Sequence, residues 1–148
     1  MLSVVEIAKK HQSGNYFEAA QAYKTMLLQN PKDAEILNLY GLCLSSMGDF
    51  DLAISEFSTA ISVLPNNDEF FQNRAIALAR KGDLDNALLD FKKAADISPL
   101  NIFSLIKVAE ISLLLNKFHL ARDYFSRALR IDPQNTEIKI GLANSLNQ

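Results

Sequence analysis

The chain has few of the residue types that carry most protein chemistry. Its 148 residues include no tryptophan, one cysteine (Cys43) and two histidines, His11 and His119. A single cysteine cannot form an internal disulfide, which is typical of a reducing compartment, so we expect a cytoplasmic protein. No histidine is spaced from a second histidine or a cysteine as in a zinc site. We therefore expect neither a metal nor a cofactor.

Long hydrophobic runs and a strong net charge are also missing. The longest apolar runs have only a few residues, as at Leu113 to Leu115, whereas a bilayer-spanning helix needs about 20. Near the start, Glu6 interrupts the only short apolar stretch, and no small-residue cleavage site follows, so a secretory signal is not expected. A net charge of −2 gives no general attraction for nucleic acid. Neither nucleic-acid binding nor membrane insertion is expected.

No group of residues has the pattern of a catalytic site. A glycine-rich phosphate loop is absent, and no histidine lies near Cys43 in register, so we expect a buried and inert thiol. The neighbouring carboxylates Asp49 and Asp51 are explained by a helix start, where the backbone dipole favours negative charge. We expect that the chain is not an enzyme.

The four prolines reveal an internal repeat, because each lies 34 positions after the one before. They are Pro31, Pro65, Pro99 and Pro133. Other residues recur at the same spacing, and we call each such set a column. The column of small residues comprises Ala19, Ala53, Ala87 and Ala121, and the aromatic column comprises Tyr23, Phe57, Phe91 and Phe125. A turn column comprises Gly14, Gly48, Gly82 and Asn116. Self-similarity at such a period predicts a stack of similar structural units.

Within each row the apolar spacing is helical and predicts two helices. In the third row, Phe71, Ala75 and Leu78 stand at i, i+4 and i+7, and a second stripe follows Gly82. Gly82 suits the end of the first helix, and Asp83 or Asp85 can cap the second. Pro99 ends the second helix and biases Ser98 out of helical geometry.

These rows resemble tetratricopeptide repeats over residues 14 to 135. The second row matches best, with Leu37, Tyr40, Gly41, Leu44, Gly48, Asp49, Phe50, Ala53, Phe57, Ala60 and Pro65. Arg74 departs from the pattern because the family usually has an apolar residue there. The resemblance implies an all-α fold, a right-handed superhelical solenoid of antiparallel helix pairs whose first helices line a concave groove.

We divide the chain, as a single domain, into four repeats and one further helix. The repeats span approximately 1–33, 34–67, 68–101 and 102–135, with an opening helix from Leu2 to His11, and a capping helix spans 136–148. In that last helix Ile138, Leu142, Ala143 and Leu146 can cover the end of the fourth repeat. Whether the helix seals the stack or begins another hairpin of a longer protein stays open.

By the resemblance, side chains at fixed places in each row face the groove. The candidate binding residues are Asn38, Leu42, Gln72, Asn73, Ile76, Arg80, Phe103, Ile106, Lys107 and Glu110. The amides of Asn38, Gln72 and Asn73 can bond an extended peptide backbone. Asn73 and Lys107 resemble two positions of the carboxylate clamp that binds chaperone tails. The other clamp positions differ, so tight capture of a terminal carboxylate is not expected.

The fourth row has surplus apolar residues, and the charges are uneven. Phe103, Ile106, Leu113 and Leu114 are either covered by packing or form an exposed patch for a partner. Residues 32–65 carry one basic and five acidic residues, a net of −4, whereas residues 100–133 carry five basic and three acidic, a net of +2. The charged faces are either simply solvated or attract another copy head to tail.

Three functions follow as hypotheses. The main one is an interaction scaffold that holds a peptide or an extended segment of another protein in its groove. The second is a substrate-recruiting arm of a larger bacterial enzyme, for example a glycosyltransferase. The third is a self-associating module that forms homo-oligomers through its terminal repeats.

Overall fold

The computed structural model describes residues 4–146, and this range forms nine α-helices. They are α1 (Val4–Gln12), α2 (Tyr16–Gln29), α3 (Ala34–Met47), α4 (Phe50–Val63), α5 (Asp68–Lys81), α6 (Leu84–Ile97), α7 (Ile102–Leu114), α8 (Phe118–Ile131) and α9 (Thr136–Leu146). The predicted helix start at Leu2 and the end of the predicted capping helix, residues 147 and 148, lie outside the described residues.

Each helix packs against the next one along the chain, and short turns make consecutive helices antiparallel. The first helices of the later hairpins begin at residues 34, 68 and 102, and α9 begins at 136, so each start is 34 positions after the last. Residues 4–146 contain no strand. The predicted all-α solenoid of antiparallel helix pairs is confirmed.

The turn column has the backbone conformation that its residue types predict. Gly14, Gly48 and Gly82 have φ of +84°, +89° and +94°, a left-handed region that costs glycine little because it lacks a Cβ atom. Asn116 has φ of +57° at the fourth turn, where asparagine is the commonest replacement for glycine. Each turn therefore ends its first helix in the same way.

A column of helix-capping residues was not predicted from the sequence. The side chains of Asp33, Asn101 and Asn135 accept hydrogen bonds from backbone amides three residues ahead, at 3.1, 3.3 and 3.2 Å. Asn67 does the same two residues ahead, at 3.0 Å. These four residues are also 34 positions apart, and each satisfies one free amide at the start of a first helix. The spacing of the prolines could have revealed them.

The small and aromatic columns form the interior of the stack. The four column alanines, Ala19, Ala53, Ala87 and Ala121, are fully buried, and the four column aromatics, Tyr23, Phe57, Phe91 and Phe125, are at most 2% exposed. Small side chains let neighbouring helices approach closely, and each ring fills the space beside them. The repeat period therefore fixes which residues make the core.

The last helix covers the fourth repeat with fewer residues than predicted. Ile138 is fully buried in the core cluster of α5 to α8, and Leu142 packs against the same cluster. Ala143 and Leu146 are exposed, so the prediction that they would cover the repeat is wrong. Ile138, Leu142 and the buried Ser145 share one face of α9 that Ala143 does not, and Leu146 lies at the edge of that face in the last turn.

Candidate functional site

The first helices form one continuous side of the stack, which we call the inner face. Direct contacts join α3 to α5 and α7 to α9 on this side. All ten predicted groove residues lie on α3, α5 and α7. We call the opposite side, formed by α2, α4, α6 and α8, the outer face.

Asn38 is buried in the contact between α3 and α5. It is 2% exposed, its Oδ1 accepts a hydrogen bond of 2.9 Å from Asn73 Nδ2, and its Nδ2 donates to Glu69 Oε1 at 3.4 Å. Because the side chain is almost fully buried and already bonds Asn73 and Glu69, it presents little surface to a peptide, and its role in binding stays a prediction. Asn38 joins two neighbouring first helices.

Gln72 and Arg80 also bond within the protein. Gln72 Nε2 donates to Asp68 Oδ2 at 3.0 Å, and the side chain is half-buried. Arg80 Nη1 donates to the Ser45 carbonyl oxygen at 3.1 Å, and its guanidinium lies 4.9 Å from the centre of the Phe50 ring. Arg80 therefore spans from α5 to the end of α3 and the start of α4.

Phe103 is the most prominent apolar side chain among the ten. It is 42% exposed, and its ring meets the buried Phe91 ring edge-on at 6.1 Å. Lys107 Nζ lies 5.6 Å from the Phe103 ring centre and 2.7 Å from Glu110 Oε2. A cation over an aromatic face holds the ring in place and leaves the rest of its surface open.

The apolar surplus of α7 divides into a covered part and an exposed part. Ile106 and Leu113 are partly buried against the core, whereas Phe103 and Leu114 are exposed, the latter at 67%. Leu42 and Ile76 are also half-buried. The inner face therefore mixes half-buried apolar side chains with polar ones, and its role in binding stays a prediction.

Cys43 has a histidine beside it, contrary to the sequence analysis. Its Sγ lies 3.5 Å from Nδ1 of His11, which α1 brings against α3 from 32 residues away. The expectation of a buried thiol is nevertheless met, because Cys43 is fully buried and burial raises its pKa to about 11. Burial also lowers the pKa of His11. Both shifts favour neutral groups, so this contact does not make a thiolate.

The described range holds no group of three or more histidine, cysteine or carboxylate side chains that could bind a metal ion. Between residues 4 and 146, no helix has the length and hydrophobicity of a membrane span.

Comparisons with known proteins agree on the repeat. Two family models described as tetratricopeptide repeat match, one over residues 10–76 and the other over residues 68–99 and 104–135. No curated protein sequence matches the chain.

Solved structures resemble all or most of the stack. A crystal structure of MamA superposes with a TM-score of 0.89 at 16% identity, covering 99% of this chain and 85% of that one. The first tetratricopeptide repeat domain of Spaghetti (RPAP3), bound to the HSP90 peptide SRMEEVD, gives 0.70 at 23% identity, covering 77% and 90%. The Sgt2 domain from Aspergillus fumigatus gives 0.68 at 18% identity, covering 78% of each chain. At these identities the likeness concerns the fold.

Proposed function

Because the chain belongs to the tetratricopeptide repeat family, we propose that it is a protein-interaction scaffold that holds a peptide or extended segment of another protein on its inner face. The proposal is supported by the exposed ring of Phe103. The equivalent positions in the neighbouring rows are Glu35, Glu69 and Glu137, all exposed. Because the fold accepts glutamate there, it does not require an aromatic side chain in the fourth repeat.

The surroundings of Phe103 fit a segment that lies across α5 and α7. Ile76 and Ile106 supply apolar contact surface, while Lys107 and Glu110 offer one charge of each sign. Asn73 uses one amide hydrogen on Asn38 and keeps its carbonyl oxygen for a ligand. A preformed surface of this kind keeps the entropic cost of binding low.

The proposed role is binding without catalysis and without a cofactor. The closest approach to a catalytic pair, His11 with Cys43, supports this view because the thiol stays protonated near neutral pH. Location in the cytoplasm, and the alternative of a recruiting arm in a larger enzyme, stay predictions from the sequence.

Self-association through the terminal repeats also stays a prediction, and exposed apolar residues at both ends of the described range support it. Val5 on α1 is 65% exposed, and Ile140 on α9 is 58% exposed. Sedimentation velocity at low and high salt tests it. A head-to-tail electrostatic contact predicts dissociation as salt is added, and a salt-independent monomer would contradict it.

The groove proposal is tested by comparing Phe103→Glu with Leu100→Asn. The first change installs the residue of the equivalent positions. The second removes a leucine that is more exposed than Phe103 from the loop before α7, where the second row has Asn66. Each variant and the wild type are used for quantitative affinity capture, and tiled peptides of each captured protein are then assayed. We expect short linear segments whose binding falls at least tenfold with Phe103→Glu alone. Segments that bind both variants like the wild type would contradict the proposal.

A further inference from the structure

A second apolar surface lies on the outer face, between α2 and α4. Two cavities of about 230 and 430 Å³ adjoin there and share Lys24, Tyr40 and Leu52 as lining residues. Phe17 stands at one end and Leu28 at the other. We call this surface the outer crease.

The fold does not require apolar residues at the two ends of the outer crease. Phe17, Leu28 and Leu52 are 67%, 78% and 55% exposed. In the other rows the residues equivalent to Phe17 are Asp51, Asp85 and His119, and those equivalent to Leu28 are Ser62, Asp96 and Arg130. Every one of these is polar and exposed. Exposed apolar residues that cluster at one place, where equivalent places are polar, indicate a partner site.

The next crease along the stack differs in charge at two of its positions. Shifting Tyr40 and Glu56 by 34 positions gives Arg74 on α5 and Asp90 on α6, which form an ion pair in the wall of a cavity of about 350 Å³ between α4 and α6. In the outer crease the same positions hold a half-buried phenol and a half-buried carboxylate. Glu56 therefore lacks the arginine partner that Asp90 has in the third repeat.

The outer crease has more acid than base. Its lining includes two carboxylates, Asp49 and Glu56, and one basic side chain, Lys24. Neither carboxylate belongs to an ion pair within residues 4–146. Burial raises the pKa of Glu56, and the nearby Lys24 offsets part of this effect. A positive group from a partner would compensate both carboxylates.

The dimensions and chemistry favour a helix as the occupant. Phe17 and Leu28 are eleven residues apart on α2, which corresponds to about 16 Å, or three helical turns. An amphipathic helix satisfies its own backbone groups and presents apolar residues on one side, at a spacing that can reach both Phe17 and Leu28.

We propose that the outer crease docks an amphipathic helix of another protein, about three turns long. Its apolar face contacts Phe17, Leu28 and Leu52. An arginine or lysine on its flank faces Glu56 and Asp49. This site is separate from the inner face and does not depend on the function proposed for it.

The test uses a random 16-residue peptide library displayed on phage and selected on the full chain. Selected peptides are synthesised and their dissociation constants are measured with the wild type and with Phe17→Asp/Leu28→Asp. Each aspartate occurs at an equivalent position, so the fold accepts it, and circular dichroism checks this. We expect a class of peptides that loses affinity at least tenfold, becomes helical on binding and carries a basic residue beside its apolar face. Leu100→Asn and Phe103→Glu should leave that class unaffected.

A second variant tests the charge. Glu56→Gln should weaken the same peptides severalfold, and less so at high salt. Three results would overturn the proposal: no selected peptide depends on Phe17 and Leu28, the dependent peptides bind in an extended form, or they are acidic. A fourth is that the wild type dimerises and the double aspartate variant does not, because the crease would then be occupied by a second copy.

Discussion

Arg74 on α5 and Asp90 on α6 are joined by two hydrogen bonds. Arg74 Nε donates to Oδ2 of Asp90 at 2.6 Å, and Nη2 donates to Oδ1 at 2.8 Å. Arg74 Nη1 also donates to the Ser58 hydroxyl on α4 at 2.9 Å. Arg74, which departs from the family pattern, is therefore paired with a carboxylate 16 residues later in the chain.

This pair predicts strongly coupled mutations. Asp90 is 7% exposed, so replacing Arg74 alone leaves a nearly buried charge and should lower the free energy of unfolding by about 3 kcal/mol. The fourth repeat has Val108 and Tyr124 at the equivalent positions. We expect Arg74→Val/Asp90→Tyr to be less destabilising than the sum of the two single changes. Urea unfolding followed by circular dichroism measures all three variants, and additive losses would contradict the coupling.

Tyr23 predicts a stabilising substitution. Its hydroxyl is buried without a hydrogen-bond partner among the described residues, and the equivalent residues are all phenylalanine. Leaving a buried hydroxyl unsatisfied costs about 1–3 kcal/mol, so Tyr23→Phe should raise the free energy of unfolding by about 1 kcal/mol. Tyr40→Phe, at a partly exposed phenol, is the matched control and should change stability by less than about 0.5 kcal/mol. A clear loss of stability in Tyr23→Phe would mean that the hydroxyl has a partner.

At Gly41, we expect alanine to destabilise the protein although alanine favours a helix. A Cβ atom at this position would lie 2.7 Å from Cε1 of the fully buried Phe57 ring. Alanine is favoured over glycine in a helix by about 1 kcal/mol, but overpacking costs about 1–3 kcal/mol. We expect Gly41→Ala to lower the thermal midpoint and Phe57→Leu to relieve part of that loss when the two are combined. The third row has Ala75 at the equivalent position, between α5 and α6. A raised thermal midpoint in Gly41→Ala would mean that α3 and α4 can move apart to a similar spacing.

The Cys43 thiol should be unreactive in the folded protein. With a pKa raised from 9.0 to about 11, its thiolate fraction near pH 8 is about a hundredfold below that of an ordinary cysteine, and the side chain is fully buried. Ellman's reagent should therefore label it at the rate of protein opening, and quickly in urea. His11→Gln should not slow the labelling of the folded state. Rapid labelling at pH 7 that His11→Gln abolishes would mean that the imidazole activates the thiol.

The repeat period made most of the fold predictable. Proline, glycine and alanine columns at a spacing of 34 locate the helices, because each of these residue types has a backbone or packing requirement of its own. The conformations of Gly48, Gly82 and Asn116 follow from the same columns. The local preferences of these residue types, repeated in four rows, were enough to predict the helices and the turns between them.

Contacts between neighbouring repeats were predicted less well. Asn38 meets Asn73, 35 positions later, and His11 meets Cys43, 32 positions later. Residues about one period apart lie side by side on adjacent first helices. The pattern within a single row does not predict such contacts. The pairing of Cys43 with a histidine, and the burial of Asn38, were missed for this reason.

The order of helix contacts has a mechanical consequence. Each helix is held by the helices next to it in the chain, with additional contacts between α3 and α5 and between α7 and α9. A force that pulls on the two ends is then carried in series by successive hairpins, because the core is distributed along the chain. Such a chain lengthens in steps of one hairpin and can act as a spring whose weakest link sets the tension at which it first yields.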